Sequence, residues 1–380
     1  MKHHLYNKNF QFVKEPVEFN KNTDRSILQY CLGATLYMPG TKVIQDKILK
    51  KELNDITSLV MCFEDSIQEQ DVPKAEENVL SHLDNIANAI EQGVITIDDV
   101  PLIFLRARNI EQFKSFAQKL TIKQMNVLSG FVYPKFDSYT AGDYLKMLNY
   151  LCVQHNVILY GMPILEGRTI AFKETRDEEL LILKRILEPY KQLILNIRVG
   201  GTDFSSFWGV RRGINHSVYD ILTVRDCLSD ILNFFNRADD DYLVSAPVWE
   251  YFLAYKKDDL NVLIHEDIHK SILNRAPILN DAIDGLLREV ILDKANGFVG
   301  KTIIHPSHAR FVNAMQAVTK EEYDDASQIL NTKGGVIKSA NTNKMNEINP
   351  HKSWANKIVN CATAFGVVED EASYLKLIAQ

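Results

Sequence analysis

The sequence predicts an α/β protein of the (β/α)₈ class: one barrel with an insertion between strands 7 and 8 and a helical C-terminal extension. Three observations carry that prediction. Eight short apolar or β-branched runs recur along the 380 residues, most are followed by a stretch with helical spacing, and no internal repeat or Ser/Gly linker divides the chain.

The runs occupy residues 32–38 ahead of Pro39-Gly40, 58–63 ahead of Glu64-Asp65, 102–105 ahead of Arg106, and 130–133 ahead of Pro134-Lys135. They continue with 157–165 ahead of Glu166, 193–199 ahead of Gly200-Gly201, 242–245 ahead of Ala246-Pro247, and 298–304 ahead of His305-Pro306. Helical spacing lies between them, at 74–92, 109–120, 139–155, 177–190 and 222–236. An open, doubly wound sheet is the alternative, because strand pairing order leaves no trace in a sequence. The barrel is placed at 1–306 with an insertion at 248–294. Residues 307–380 form an extension whose apolar side chains, among them Val318, Ile329, Ile348, Trp354 and Ile358, must be buried on the barrel or on a neighbouring subunit.

Composition excludes several classes. Hydrophobic residues make up 46% and charged residues 24%, as in ordinary globular proteins. The net charge of −6 carries no basic block, which argues against nucleic acid as a partner. No 18-residue apolar stretch marks a membrane span, and the opening residues have no signal-peptide core. Five scattered cysteines fit reduced thiols in a cytoplasmic protein.

In such a barrel the residues following each strand converge on one mouth, so the polar groups there locate the chemistry. Here they are ionic: Glu64, Asp65, Arg106, Lys135, Glu166, Asp203, Lys301 and His305. Glu166 and Asp203 suit Mg²⁺ or Mn²⁺, because Mg²⁺ takes one or two carboxylates and completes its shell with water and substrate oxygens. Arg106 suits a substrate carboxylate, which its planar fork can hold at two points. Gly201, Thr202 and His305 join as substrate-binding candidates.

The strings LYMPGT, CFEDSI, FLRARN, VYPKF, PILEG, VGGTDFSS, GFVGKTIIHPSH and GGVIKSANTNKMNEINPHKSWA follow one another at successive strand ends and into the extension. In that order they resemble the HpcH/HpaI aldolase and citrate lyase β-subunit superfamily, and most of all its divergent branch of carbon-carbon bond lyases of the TIM-barrel fold. The resemblance implies Mg²⁺-dependent lyase or Claisen-type chemistry on a 2-oxo or 3-hydroxy carboxylate or its CoA thioester. It implies Glu166 and Asp203 as metal ligands, Arg106 as carboxylate binder, and Glu64, Asp65 and Lys135 as supporting members. It further implies a homo-oligomer, trimer or hexamer, whose C-terminal part covers a neighbour's site. The chain departs from the family in having Cys62 where an aspartate is usual, and no separate CoA-binding signature is present.

Two readings from other classes compete. His265-Glu266-Asp267-Ile268-His269 is a literal H-E-x-x-H, with Glu289 spaced as a third zinc ligand of a metallohydrolase. A barrel without catalysis, serving as a binding subunit, is the other. Gly300-Lys301-Thr302 imitates a phosphate loop but lacks its first glycine, and the basic stretch ending at Arg211-Arg212 offers an anionic tail a contact.

Overall fold

The computed structural model describes residues 1–252 and 278–379. Eight parallel strands form one sheet: β1 Ala34–Pro39, β2 Ser58–Cys62, β3 Leu102–Arg106, β4 Gly130–Tyr133, β5 Tyr160–Leu165, β6 Ile197–Val199, β7 Val244–Ser245 and β8 Lys301–Ile303. They pair in sequence order, with β8 beside β1. Closure comes just past β7, where Ala246 N donates to Gly300 O at 3.0 Å and accepts Thr302 N on its own carbonyl at 3.2 Å. The predicted barrel stands and the open sheet is set aside. Every residue of β2, β3, β4 and β5 is buried, as expected of parallel strands covered by helices on one face and packed against one another on the other.

Helices fill the connections: α1 Val72–Glu91, α2 Ile110–Ala117, α3 Ala141–His155, α4 Lys173–Leu187, α5 Gly201–Phe207, α6 Leu222–Phe235, α7 Asp281–Ala295 and α8 Ala309–Gln316. Three of their starts are written in the sequence. Asn109 and Asn280 accept the backbone N–H of Gln112 and Ile283, and Pro73 sits in the first turn of α1, where its missing N–H costs nothing. The strands are shorter than their apolar runs. Residues 157–159 lie outside the named strands, because an apolar run marks burial and not pairing. Gly300 is needed at the entry to β8: its φ is +73°, and a Cβ there would crowd the Gly33 carbonyl.

The extension adds α9 Lys320–Asn331, α10 Ile348–Phe365 and α11 Ser373–Ala379, with short strands β9 Val318–Thr319, β10 Val336–Lys338, β11 Met345–Glu347 and β12 Val367–Val368. Strand β12 pairs with β9, β10 pairs with β11, and Val367 also bridges to Lys14. Most of the extension's apolar area is covered within this chain: Val318, Ile329, Ile348 and Ile358 are buried, whereas Val336, Met345 and Trp354 are exposed. This layer meets the residue just ahead of β1, where the Phe365 ring at the end of α10 packs beside Gly33. Within the chain, therefore, it lies toward the entry end of β1 and away from the strand ends that bear the charges.

His4 locks the N-terminal segment to this layer, its Nε2 lying 3.1 Å from the Phe365 carbonyl. Burial pushes its pKa down to about 3, and that of His308 down to about 4. Both groups are depressed below the unfolded value near 6.5. Their stabilisation is thus complete above pH 6.5 and is lost as pH falls through that window, at about 1.4 kcal/mol per pH unit for each. A His4→Asn variant should show a shallower loss of melting temperature between pH 6.5 and 4.5 than the parent. Identical pH profiles would mean that His4 takes up its proton without cost in the fold.

Candidate functional site

The C-terminal ends of the strands surround a cavity of about 410 Å³, lined among others by Asp65, Arg106, Glu166, Arg198, Thr202 and Asp203. Arg106 ends β3 and is buried. Its Nη2 alone meets three carboxylates: Glu64 at 2.7 Å, Asp65 at 3.1 Å and Glu166 at 3.2 Å. Its Nε is enclosed without a partner. The expected fork is thus already engaged at one prong by the protein's own acids.

Lys135 follows β4, whose end is fixed by the Tyr133 ring 4.5 Å from that of Tyr144 on α3 and 5.3 Å from that of Phe113 on α2. Its backbone takes φ +46°, an uncommon state for a side-chain-bearing residue. The reason is visible in its N–H, which donates to Glu166 Oε1 at 2.9 Å, while its Nζ bonds Glu64 and lies 3.7 Å from Asp65. Glu166 packs against the turn after β6, and Gly200 permits this because a Cβ there would collide with the glutamate side chain. Asp203 stands in the first turn of α5, facing the same cavity.

Burial pushes the Glu166 pKa up to about 8 against the pull of Arg106, with the negative charge of Asp203 adding to the rise. Glu64 is raised by burial too. Burial opposes ionisation of Asp65 as well, but a hydrogen bond with Glu64 and the charges of Arg106 and Lys135 hold its pKa below the usual carboxylate range. Glu64, Asp65, Glu166 and Asp203 outnumber the cations Arg106, Lys135 and Arg198 around this mouth, so its charge favours a bound cation. Glu166 and Asp203 fit Mg²⁺ as a carboxylate pair that leaves positions for water and substrate. Among the described residues no three His, Cys, Asp or Glu side chains form a metal-holding group.

The other sequence candidates are distributed as follows. Gly201 and Thr202 line the cavity, and Thr202 Oγ1 donates to Glu250 at 3.0 Å. Glu64 and Lys135 do not line it but contact residues that do, Arg106 and Glu166 respectively. His305 is not a lining residue: its Nδ1 caps the turn at Ser307, and its ring stacks on Phe252 at 4.6 Å. Lys301 points away from the mouth into a buried cluster with Glu289 at 2.9 Å and Asp293 at 2.8 Å on α7, since neighbours on a strand face opposite ways and Thr302 takes the inside. Arg212 joins that cluster through Glu289, stacks on Trp249 at 4.6 Å, and is no free surface cation. Glu289, the third zinc ligand of the competing reading, is thus held by two cations and by Val218 N, and His265 to His269 lie outside the described residues.

Sequence reasoning missed Arg198, Tyr37 and Thr302, all in the cavity wall. The signal was present, since Arg198 is the one charge in the apolar run 193–199.

A closed parallel barrel with an acidic, arginine-bearing mouth is the class these features define. The chain belongs to the C-C bond lyases of the TIM-barrel fold: that family's profile matches residues 26–367. No curated protein matches it. Among solved structures it is similar to CitE from Mycobacterium tuberculosis, crystallised with magnesium, acetoacetate and coenzyme A. The TM-score is 0.51 at 14% identity, over 88% of this chain and 99% of that one, a likeness of fold. RipC from Yersinia pestis also aligns, with a TM-score of 0.47 at 14% identity over 76% of this chain and 95% of that one. Among the described residues no helix is long and apolar enough to cross a membrane, and all five cysteines are free.

Proposed function

We propose that this chain is a Mg²⁺-dependent carbon-carbon lyase or aldolase that acts beside a carboxylate, on a 2-oxo or 3-hydroxy acid or its CoA thioester. The observation that carries the reading is the convergence of Glu166 and Asp203 on one cavity, with Glu166 seated against Gly200 and tied to Arg106. Those two carboxylates would hold Mg²⁺ or Mn²⁺. When bound there, the metal supplies Lewis acidity toward the substrate's carboxylate and neighbouring oxygen and stabilises enolate charge.

The chain's own residues do the rest. Arg106 fixes Asp65 and Glu166 and adds positive field at the substrate's acidic end. Lys135 holds Glu64 and, through its N–H, orients Glu166. Asp65 lines the cavity and is kept ionised, so it is placed to take the hydroxyl proton released when the bond breaks. The similar CitE structure with magnesium, acetoacetate and coenzyme A supports the substrate class. Exposed Val336 and Met345 on the β10–β11 hairpin, with Trp354, fit a contact between copies in a homo-oligomer, and five free thiols fit the cytoplasm.

Enolate formation is the step shared by all such substrates, so it is the one to test. Pyruvate in D₂O should exchange its methyl protons in the presence of protein and Mg²⁺, followed by NMR, and EDTA should stop the exchange. Exchange that is no faster than in buffer with Mg²⁺ alone would sink the reading.

A further inference from the structure

Among the described residues five arginines are buried: Arg25, Arg106, Arg176, Arg198 and Arg212. Four have a carboxylate within ion-pair distance, namely Asp241, Glu64, Asp230 and Glu289 respectively. Arg198, at 1% exposure the most enclosed of the five, makes no ion pair among the described residues. Its Nη1 reaches Thr35 Oγ1 at 3.4 Å and its Nη2 reaches Thr302 Oγ1 at 2.7 Å, while its Nε has no partner. The guanidinium lies 5.5 Å from the centre of the Tyr37 ring, and Arg198, Tyr37 and Thr302 all line the cavity that Glu166 and Asp203 face.

A buried cation with only hydroxyl partners is costly, and an apolar side chain would tie β6 to β1 and β8 at less expense. The arrangement makes physical sense when an anion completes it. Arg106 is the less available partner for that anion, because its Nη2 is shared among three protein carboxylates. Arg198 has no competing acid, a planar fork, and flanking hydroxyls able to donate to a carboxylate.

We propose that Arg198, with Thr35, Thr302 and Tyr37, forms a second carboxylate subsite, so that the substrate is a diacid. This rests on the lyase reading above: one carboxylate meets the Glu166–Asp203 end and the other meets the Arg198 guanidinium. The cavity of about 410 Å³ suits a compact diacid held at both ends.

Malate and lactate share a 2-hydroxy acid head and differ by the second carboxylate, which makes them the probes. Calorimetric titration with and without Mg²⁺ should find malate bound about thirtyfold more tightly than lactate, the worth of a charged hydrogen-bonded pair. In Arg198→Met the preference should collapse through loss of malate affinity, with lactate shifting far less. Arg198→Lys should fall between, since it keeps the charge and loses the fork. Equal affinities in the parent protein, a preference that survives in Arg198→Met, or an equal loss of both acids would each overturn the subsite; the last would mark Arg198 as a structural tie. The parent ratio and the lysine variant decide the matter even if the methionine variant does not fold. A malate preference that depends on Arg198 but is indifferent to Mg²⁺ would sink the metal reading and leave the subsite standing. Mg²⁺-enhanced binding of both acids without preference would do the reverse, and no binding of either would overturn both.

Discussion

Replacing Glu166 by Gln and Asp203 by Asn together should abolish Mg²⁺-dependent proton exchange, with a loss of at least about 10³-fold, while the protein stays folded. A metal acting as Lewis acid contributes several kcal/mol at the developing charge, and each 1.4 kcal/mol is tenfold in rate. Folding should survive because both substitutions remove negative charge from a corner that carries an excess of it, and burial already holds the Glu166 pKa at about 8. That raised value sets the pH dependence. At pH 7 a proton sits on Glu166 in the metal-free protein, so binding a cation displaces it, and Mg²⁺ affinity should climb as pH rises toward 8. Calorimetry in two buffers of different ionisation enthalpy reads both the affinity and the proton released. Unchanged Mg²⁺ affinity in the double variant would remove the metal from this pair.

The barrel was legible because its grammar is local. Each strand is a buried apolar run stopped by a polar or turn residue, and three of the helices announce their starts through Pro73, Asn109 and Asn280. Closure was not legible. It depends on Ala246 meeting Gly300 and Thr302, a pairing between residues far apart in the chain that no periodicity records. Nor could the strand limits be read, since burial of Val157 and Leu159 looks the same whether or not their backbones join the ladder.

At the site, residue type and strand end located Asp65, Arg106, Glu166 and Asp203 in one cavity wall. Position at a strand end does not say which way a side chain points, and so Lys301 and His305 were assigned to a mouth they do not face. On β8 the alternation rule places Lys301 and Thr302 on opposite sides, and only the partners in α7 decide which is inside. Arg198 was passed over because it lies within a strand and not after it.

Arg106→Met should lower stability by about 3–5 kcal/mol at pH 8.5, the cost of stripping a buried charge from its partners. Arg106 Nη2 is the common neighbour of Glu64, Asp65 and Glu166, so its loss leaves three carboxylates facing one another with only Lys135 beside them. Glu64 and Glu166 already have raised pKa values with the guanidinium present, and without it they rise further. A group whose pKa is raised in the folded state stabilises below its unfolded value, and that stabilisation is lost as pH rises through the folded value. The variant's deficit relative to the parent should therefore be greatest above pH 8 and shrink toward pH 5, where both glutamates take up protons. Comparing parent and variant at each pH cancels the histidine contribution common to both. Urea denaturation at pH 5 and pH 8.5 measures the two differences, and Mg²⁺ added at pH 8.5 should restore part of the loss by supplying the missing positive charge. A deficit that is the same at both pH values and indifferent to Mg²⁺ would mean that Arg106 acts through packing, and that the carboxylates at this mouth do not form one electrostatic unit.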